Sequence, residues 1–212
     1  MPFASDRDLL AFEPSLFRDI AWAGQRRIDG ALASTAGATL TSAASDFDAA
    51  AIDPGFVAVL DGATLEVLDR PSATTLTVSL LRDDPAGPAI PPPAFTGASL
   101  TITTFLPQIT LVHDTLLRTV GIEPADPAAS PGAASITNPA AVARAEAIGA
   151  LHLIFSAAAV TADGRAILWT KAGLYRDRFA ALRRRLAVGV DLDGDGRPDA
   201  TRRPNTLQFI RA

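Results

Sequence analysis

Two hydrophobic periodicities divide this chain, and no single kind of regular element satisfies both. Between residues 31 and 105, apolar residues come in short runs rich in Thr, Val, Leu and Ile, broken at brief intervals by turn residues. Before and after that stretch they recur three and four positions apart. The first pattern is that of short strands, the second that of helices with one buried face. The expected fold class is therefore α+β: a helical core of about four helices carrying an inserted small five-stranded β module, a curled sheet or a barrel. The expected division is 1–30 as an N-terminal helical segment, 31–105 as the β module, and 106–212 as the helical core with a C-terminal strand.

The elements follow from local signals. Ser5, with Asp8 three residues on, reads as a capping box for a short first turn. Leu16, Ile20 and Ala23 share one helical face, so 15–29 is expected to be a helix, with Gly30 as its stop. Strands are expected at 38–42, 56–60, 63–69, 74–82 and 98–105. Asp61-Gly62, between two apolar runs, reads as a tight hairpin turn, because glycine tolerates the positive φ such a turn needs. The segment 83–93 holds five prolines and is read as a loop. Helices are expected over 106–121, from Asn138-Pro139 to 158, and over 168–187. The segment 123–137, rich in Pro, Ala, Gly and Ser, reads as an exposed loop, and Leu207 to Ile210 as a last strand.

Composition narrows the chemistry. The 212 residues contain no cysteine, which removes disulfides, thiolate nucleophiles and Cys-ligated zinc. The net charge is −4, so nothing global asks for nucleic acid or an anionic membrane. Among 19 basic residues only Lys171 is lysine, a bias read as coding composition rather than chemistry. The N-terminus is not patterned as a signal peptide, and no run of apolar residues is long enough to suggest a membrane span. No G-x-S-x-G, H-E-x-x-H, G-x-G-x-x-G or P-loop pattern occurs, and His113 and His152 read as ordinary surface or boundary residues. The chain thus reads as non-enzymatic.

One local motif carries metal chemistry. Asp191, Asp193, Asp195 and Asp199, with Gly196 at the sixth position, match most of a calcium loop, in which a glycine turn folds alternate carboxylates around a hard cation. The twelfth position, which should supply a bidentate carboxylate, is Arg202. Calcium is the one cofactor the sequence suggests; the competing reading is a polar turn. A basic run, Arg176 and Arg178 followed by Arg183, Arg184 and Arg185, spreads around its helix and reads as a solvated face or a salt-bridged protein interface.

The segment from Thr41 to Phe47, then Ile52-Asp53-Pro54-Gly55-Phe56-Val57-Ala58-Val59, then Leu65-Glu66-Val67-Leu68 and Leu76-Thr77-Val78, resembles small β modules of tailed-phage neck and tail proteins. The flanking helices and the closing Asp-Leu-Asp-Gly-Asp-Gly segment are similar to those of head–tail connector (adaptor) proteins. This resemblance implies a structural protein of the virion neck, present in host cytoplasm during assembly. It would dock on a portal ring and join capsid to tail, with portal and other neck or tail proteins as partners. It also implies a homo-oligomeric ring, passage of DNA nearby without sequence-specific binding, and no membrane. Arg176, Arg183, Arg184, Leu207, Phe209 and Ile210 are the interface candidates, and 83–93 and 123–137 the segments expected to order on assembly. The alternative is a calcium- or ligand-binding module built on 191–199.

Overall fold

The computed structural model describes residues 1–20, 22, 25–124, 131–161 and 165–204. The chain is α+β and divides into two compact units: Ser5–Leu106, and Met1–Ala4 together with Pro107–Ala212.

The first unit is a closed antiparallel barrel. Its strands are β1 (Arg26–Ala36), β2 (Thr39–Thr41), β3 (Val57–Leu60), β4 (Ala63–Ser72), β5 (Thr75–Ser79) and β6 (Ala98–Thr103), in the order β1-β2-β5-β4-β3-β6, with β6 pairing back onto β1. Closure leaves no unpaired edge to template aggregation. Leu40, Leu60, Leu65, Leu76, Val78, Leu100 and Ile102 fill the interior, joined by Phe47, Ile52 and Phe56 from the β2–β3 connection. The expected turn is present: Leu60 pairs with Ala63, and Asp61 and Gly62 between them both take positive φ, 47° and 82°. That pair of angles matches the right-handed twist of the flanking strands. Two short helices, α1 (Asp6–Phe12) and α2 (Leu16–Asp19), precede the barrel in this unit. The capping box at Ser5 and Asp8 is formed.

The barrel has six strands rather than five, because the expected helix over 15–29 is not there. Helix ends at Asp19, and Arg26 opens β1, the longest strand. The spacing of Leu16, Ile20 and Ala23 imitated a helix, but the pairing of β1 with both β2 and β6 decides the structure. Gly30 does not stop a helix. It lies where the β1–β6 register shifts between Asp29 and Ala31, with φ +71°. A glycine bulge of this kind bends and coils a strand, as closing a small barrel requires.

The second unit contains α3 (Leu106–Thr119, from its second residue), α4 (Pro139–Thr161), α5 (Arg165–Arg185) and a two-stranded hairpin of β7 (Val188–Val190) and β8 (Ala200–Arg202). α4 and α5 pack antiparallel: the Phe155 and Tyr175 rings stack at 5.6 Å, and Lys171 Nζ lies 5.0 Å from the Phe155 centroid. Gly149 lets α4 approach both α3 and α5 closely, since a Cβ there would lie 2.7 Å from Val112 Cγ1 and 3.0 Å from Phe179. α4 is long and apolar enough to cross a bilayer by length and composition, yet 56 % of its most apolar window is buried, as for a core helix. The short hairpin β7–β8 was not expected from sequence. The expected strand at Leu207, Phe209 and Ile210 lies outside the described residues.

Candidate functional site

The aspartate motif forms the connection between β7 and β8. Gly194 and Gly196 take φ of +85° and +82°, and these left-handed residues let the loop double back on itself. The fold gathers Asp191, Asp193 and Asp195, each placing a carboxylate oxygen within 4.8 Å of the others. Asp191 organises the turn: its Oδ1 accepts from the N–H groups of Asp193 (3.1 Å) and Gly194 (2.7 Å), and its Oδ2 from Gly196 (2.8 Å). The Gly196 and Gly194 amides hold the Asp191 carboxyl below the ordinary aspartate range. Asp199 is turned away to accept from Leu192 N–H at 2.7 Å. Arg202, where a bidentate ligand should stand, donates to the carbonyls of Val120 (3.0 Å) and Gly121 (2.9 Å). The motif therefore offers three converging carboxylates, and its twelfth position serves as a structural pin.

The arginine candidates are not gathered. Arg176 pairs with Asp177 at 3.0 Å, Arg183 lies 6.0 Å from the Phe179 ring, and Arg184 donates to its own helix at Ala180. Leu207, Phe209 and Ile210 lie outside the described residues.

Three buried ionisable centres escaped the sequence reading. In the barrel unit, Glu66 is fully buried on β4, between the inward-facing Leu65 and Val67. Arg7 Nε (2.7 Å) and Arg82 Nε (2.5 Å) grip its two oxygens, and the Arg82 backbone N–H adds a third bond. Arg82 also donates to Gly87 O, so the clamp fixes the start of the proline-rich loop. In the same unit Asp6 is 3 % exposed and accepts from Phe105 N–H at 2.8 Å. Burial pushes its carboxyl up to about 7, against the lowering effect of the Thr104 hydroxyl, the Phe105 amide and Arg27.

In the helical unit Glu146 is fully buried on α4. Its Oε2 accepts from the N–H groups of Phe3 (2.9 Å) and Ala4 (2.8 Å), and its Oε1 lies 2.7 Å from His113 Nδ1. His113 is thus a buried partner with 3 % exposure, not a surface residue. His152 is half-buried, with Nδ1 3.1 Å from Ala172 O and 3.3 Å from Ser156 Oγ. Nδ1 either donates to Ala172 O or accepts from Ser156 Oγ, according to which ring nitrogen carries the proton.

Compared with known protein families, curated proteins and solved structures, the chain matches none.

Proposed function

We propose that this chain is a non-enzymatic structural protein of the head–tail adaptor kind, docking on a portal ring and joining capsid to tail. The observation that carries this reading is the use made of buried charge. Glu66 grips two arginines, Glu146 holds two backbone amides and a histidine, and Asp6 holds the Phe105 amide. Each of these groups is spent on fixing chain segments. Asp6 also meets the Thr104 hydroxyl, but both are buried, at 3 % and 1 % exposure, where a substrate does not reach. A six-stranded barrel followed by a helical unit supports the reading in part, since the resemblance rests on a β module beside helices; the short α1 and α2 belong to the barrel unit. Exposed Ile167 and Trp169 on α5 add apolar surface for partners. The test is an affinity pull-down of tagged protein from an induced lysate containing assembled particles, read by mass spectrometry. Recovery of portal or tail proteins supports the reading; their absence removes it.

A second reading rests on the three converging carboxylates of Asp191, Asp193 and Asp195: a weak calcium site that stabilises the β7–β8 hairpin. An ion bound only by the folded chain raises stability by about 1.4 kcal/mol at ten times its Kd. An unchanged melting temperature in 10 mM calcium would remove this reading and leave the loop as a hydrogen-bonded turn.

A further inference from the structure

Three consecutive prolines, Pro91, Pro92 and Pro93, lie in the connection between β5 and β6. Each locks its own φ near −65° and drives the residue before it out of the helical region. With Pro88 upstream, the sequence directs this segment into polyproline II, a left-handed helix of three residues per turn. Burial keeps that period. Ala89, Pro92 and Phe95 form one edge, half-buried, buried and half-buried in turn. Pro88, Pro91 and Ala94 form a second edge, Ile90 and Pro93 a third, and all five are exposed.

Hydrogen bonds keep the same step. The carbonyls of Ile90 and Pro93, three residues apart, both turn toward the barrel, accepting from Leu80 N–H and from the Thr35 hydroxyl, each at 2.9 Å. The N–H groups of Ile90 and Phe95 donate to Ser79 Oγ (2.8 Å) and Thr35 Oγ1 (3.0 Å), and Thr35 N–H donates to Phe95 O at 3.0 Å. One edge is thus fixed to the barrel, and the other two are presented with their shape set before any partner arrives. From this threefold pattern we propose that 88–95 is a docking ridge for a partner protein whose groove is lined by Trp and Tyr and carries a basic group at its rim.

The occupant follows from what the ridge offers. Strand addition lacks donors, because Pro91, Pro92 and Pro93 have no N–H and those of Ile90 and Phe95 are used inward. The carbonyls of Pro91 and Pro92 have no protein donor among the described residues. A purely aliphatic groove would bury them unpaired. Trp and Tyr combine a flat apolar body with a donor, so they cover the proline rings and satisfy those carbonyls together. Turns of the ridge repeat about every 9 Å, which sets the spacing of the aromatic pockets. Charge removes nucleic acid, anionic bilayers and acidic protein surfaces. Between residues 83 and 96 the only charged side chains are Asp83 and Asp84, both exposed, and no ion pair to them is found among the described residues. The same two acids call for a cation at the end of the groove. A second copy has no such groove, since Trp169 is the only exposed large aromatic among the described residues.

The test titrates the purified full chain into an isotope-labelled WW domain, a small fold with a groove of Trp and Tyr, chosen with an arginine at the groove rim. Magnetic resonance follows the domain's amide and indole N–H signals. The groove Trp indole signal should shift and saturate, with a Kd below about 1 mM. P88A/P91A/P93A removes rings from the exposed edges only. It should leave the melting temperature unchanged and weaken binding at least about tenfold, as when anchoring side chains are truncated. D83N/D84N should weaken binding a few-fold at low salt and leave it unaltered at high salt. No groove shift at about 1 mM chain, shifts confined to residues outside the groove, or a Kd unmoved by P88A/P91A/P93A would each overturn the inference. The wild-type titration needs no variant, so a misfolded variant leaves the result readable. No portal or tail protein is present, so failure here and failure of the adaptor reading are separate results.

Discussion

Asp6 should make the barrel unit more stable in mild acid than at neutral pH, and a single substitution should remove that dependence. Its carboxyl is buried and its pKa is pushed from 3.8 to about 7 by desolvation. The folded chain therefore binds this proton more tightly than the unfolded chain does. The stability contributed by the protonated form is fully present below about pH 4 and is lost as pH rises through 7. A shift of about three units corresponds to about 4 kcal/mol across that window. Asp6→Asn keeps the acceptor for the Phe105 N–H and removes the ionisation. Urea denaturation followed by circular dichroism at pH 4.5, 6 and 8 gives stability for both proteins. The variant should gain on wild type as pH rises, by about 3 kcal/mol between pH 4.5 and 8. Parallel curves would refute the reasoning. A variant that loses ground with rising pH would mean that Arg27 and the hydrogen bonds outweigh burial, so that the carboxyl is held ionised.

Other substitutions probe the remaining anchors. Glu66→Gln strips the charge from a site gripped by Arg7 and Arg82, and should cost about 3–5 kcal/mol in the same urea assay; a loss under 1 kcal/mol would show the clamp is not a paired buried charge. Leu65→Ala opens a cavity inside the barrel and should cost about 2–5 kcal/mol. Glu146→Ala should release the Phe3 and Ala4 amides, which hydrogen exchange would report as a rise to unprotected rates, whereas continued protection would place their anchor elsewhere.

The elements legible in the sequence are those whose signals are local. Leu100 and Ile102 alternate with Thr101 and Thr103, and that alternation places β6 before any pairing is known. Asp61-Gly62 announces its turn by the φ it tolerates. β1 was not legible, because Gly30 signals a helix stop or a strand bulge equally well, and only the closing pairing with β6 chooses between them. β7 and β8 have three residues each, too few for a period.

Site residues divide in the same way. The aspartate loop was visible because its ligands are neighbours in sequence, although Asp199 turned away from the cluster. The buried charges were hidden because their partners are remote: Arg7 is 59 positions from Glu66, His113 is 33 from Glu146, and Ala4 is 142 from Glu146. One signal was available for Glu146. An acid within the Ala-rich apolar run of α4 needs a buried partner, and His113 occupies the helix before it.

The central claim is that this protein is a structural component of a tailed particle. Quantitative mass spectrometry of gradient-purified particles from the source tests it most directly. The account predicts the chain in the particles at a fixed ratio to the portal subunit. Particles that contain portal protein and lack this chain would contradict it.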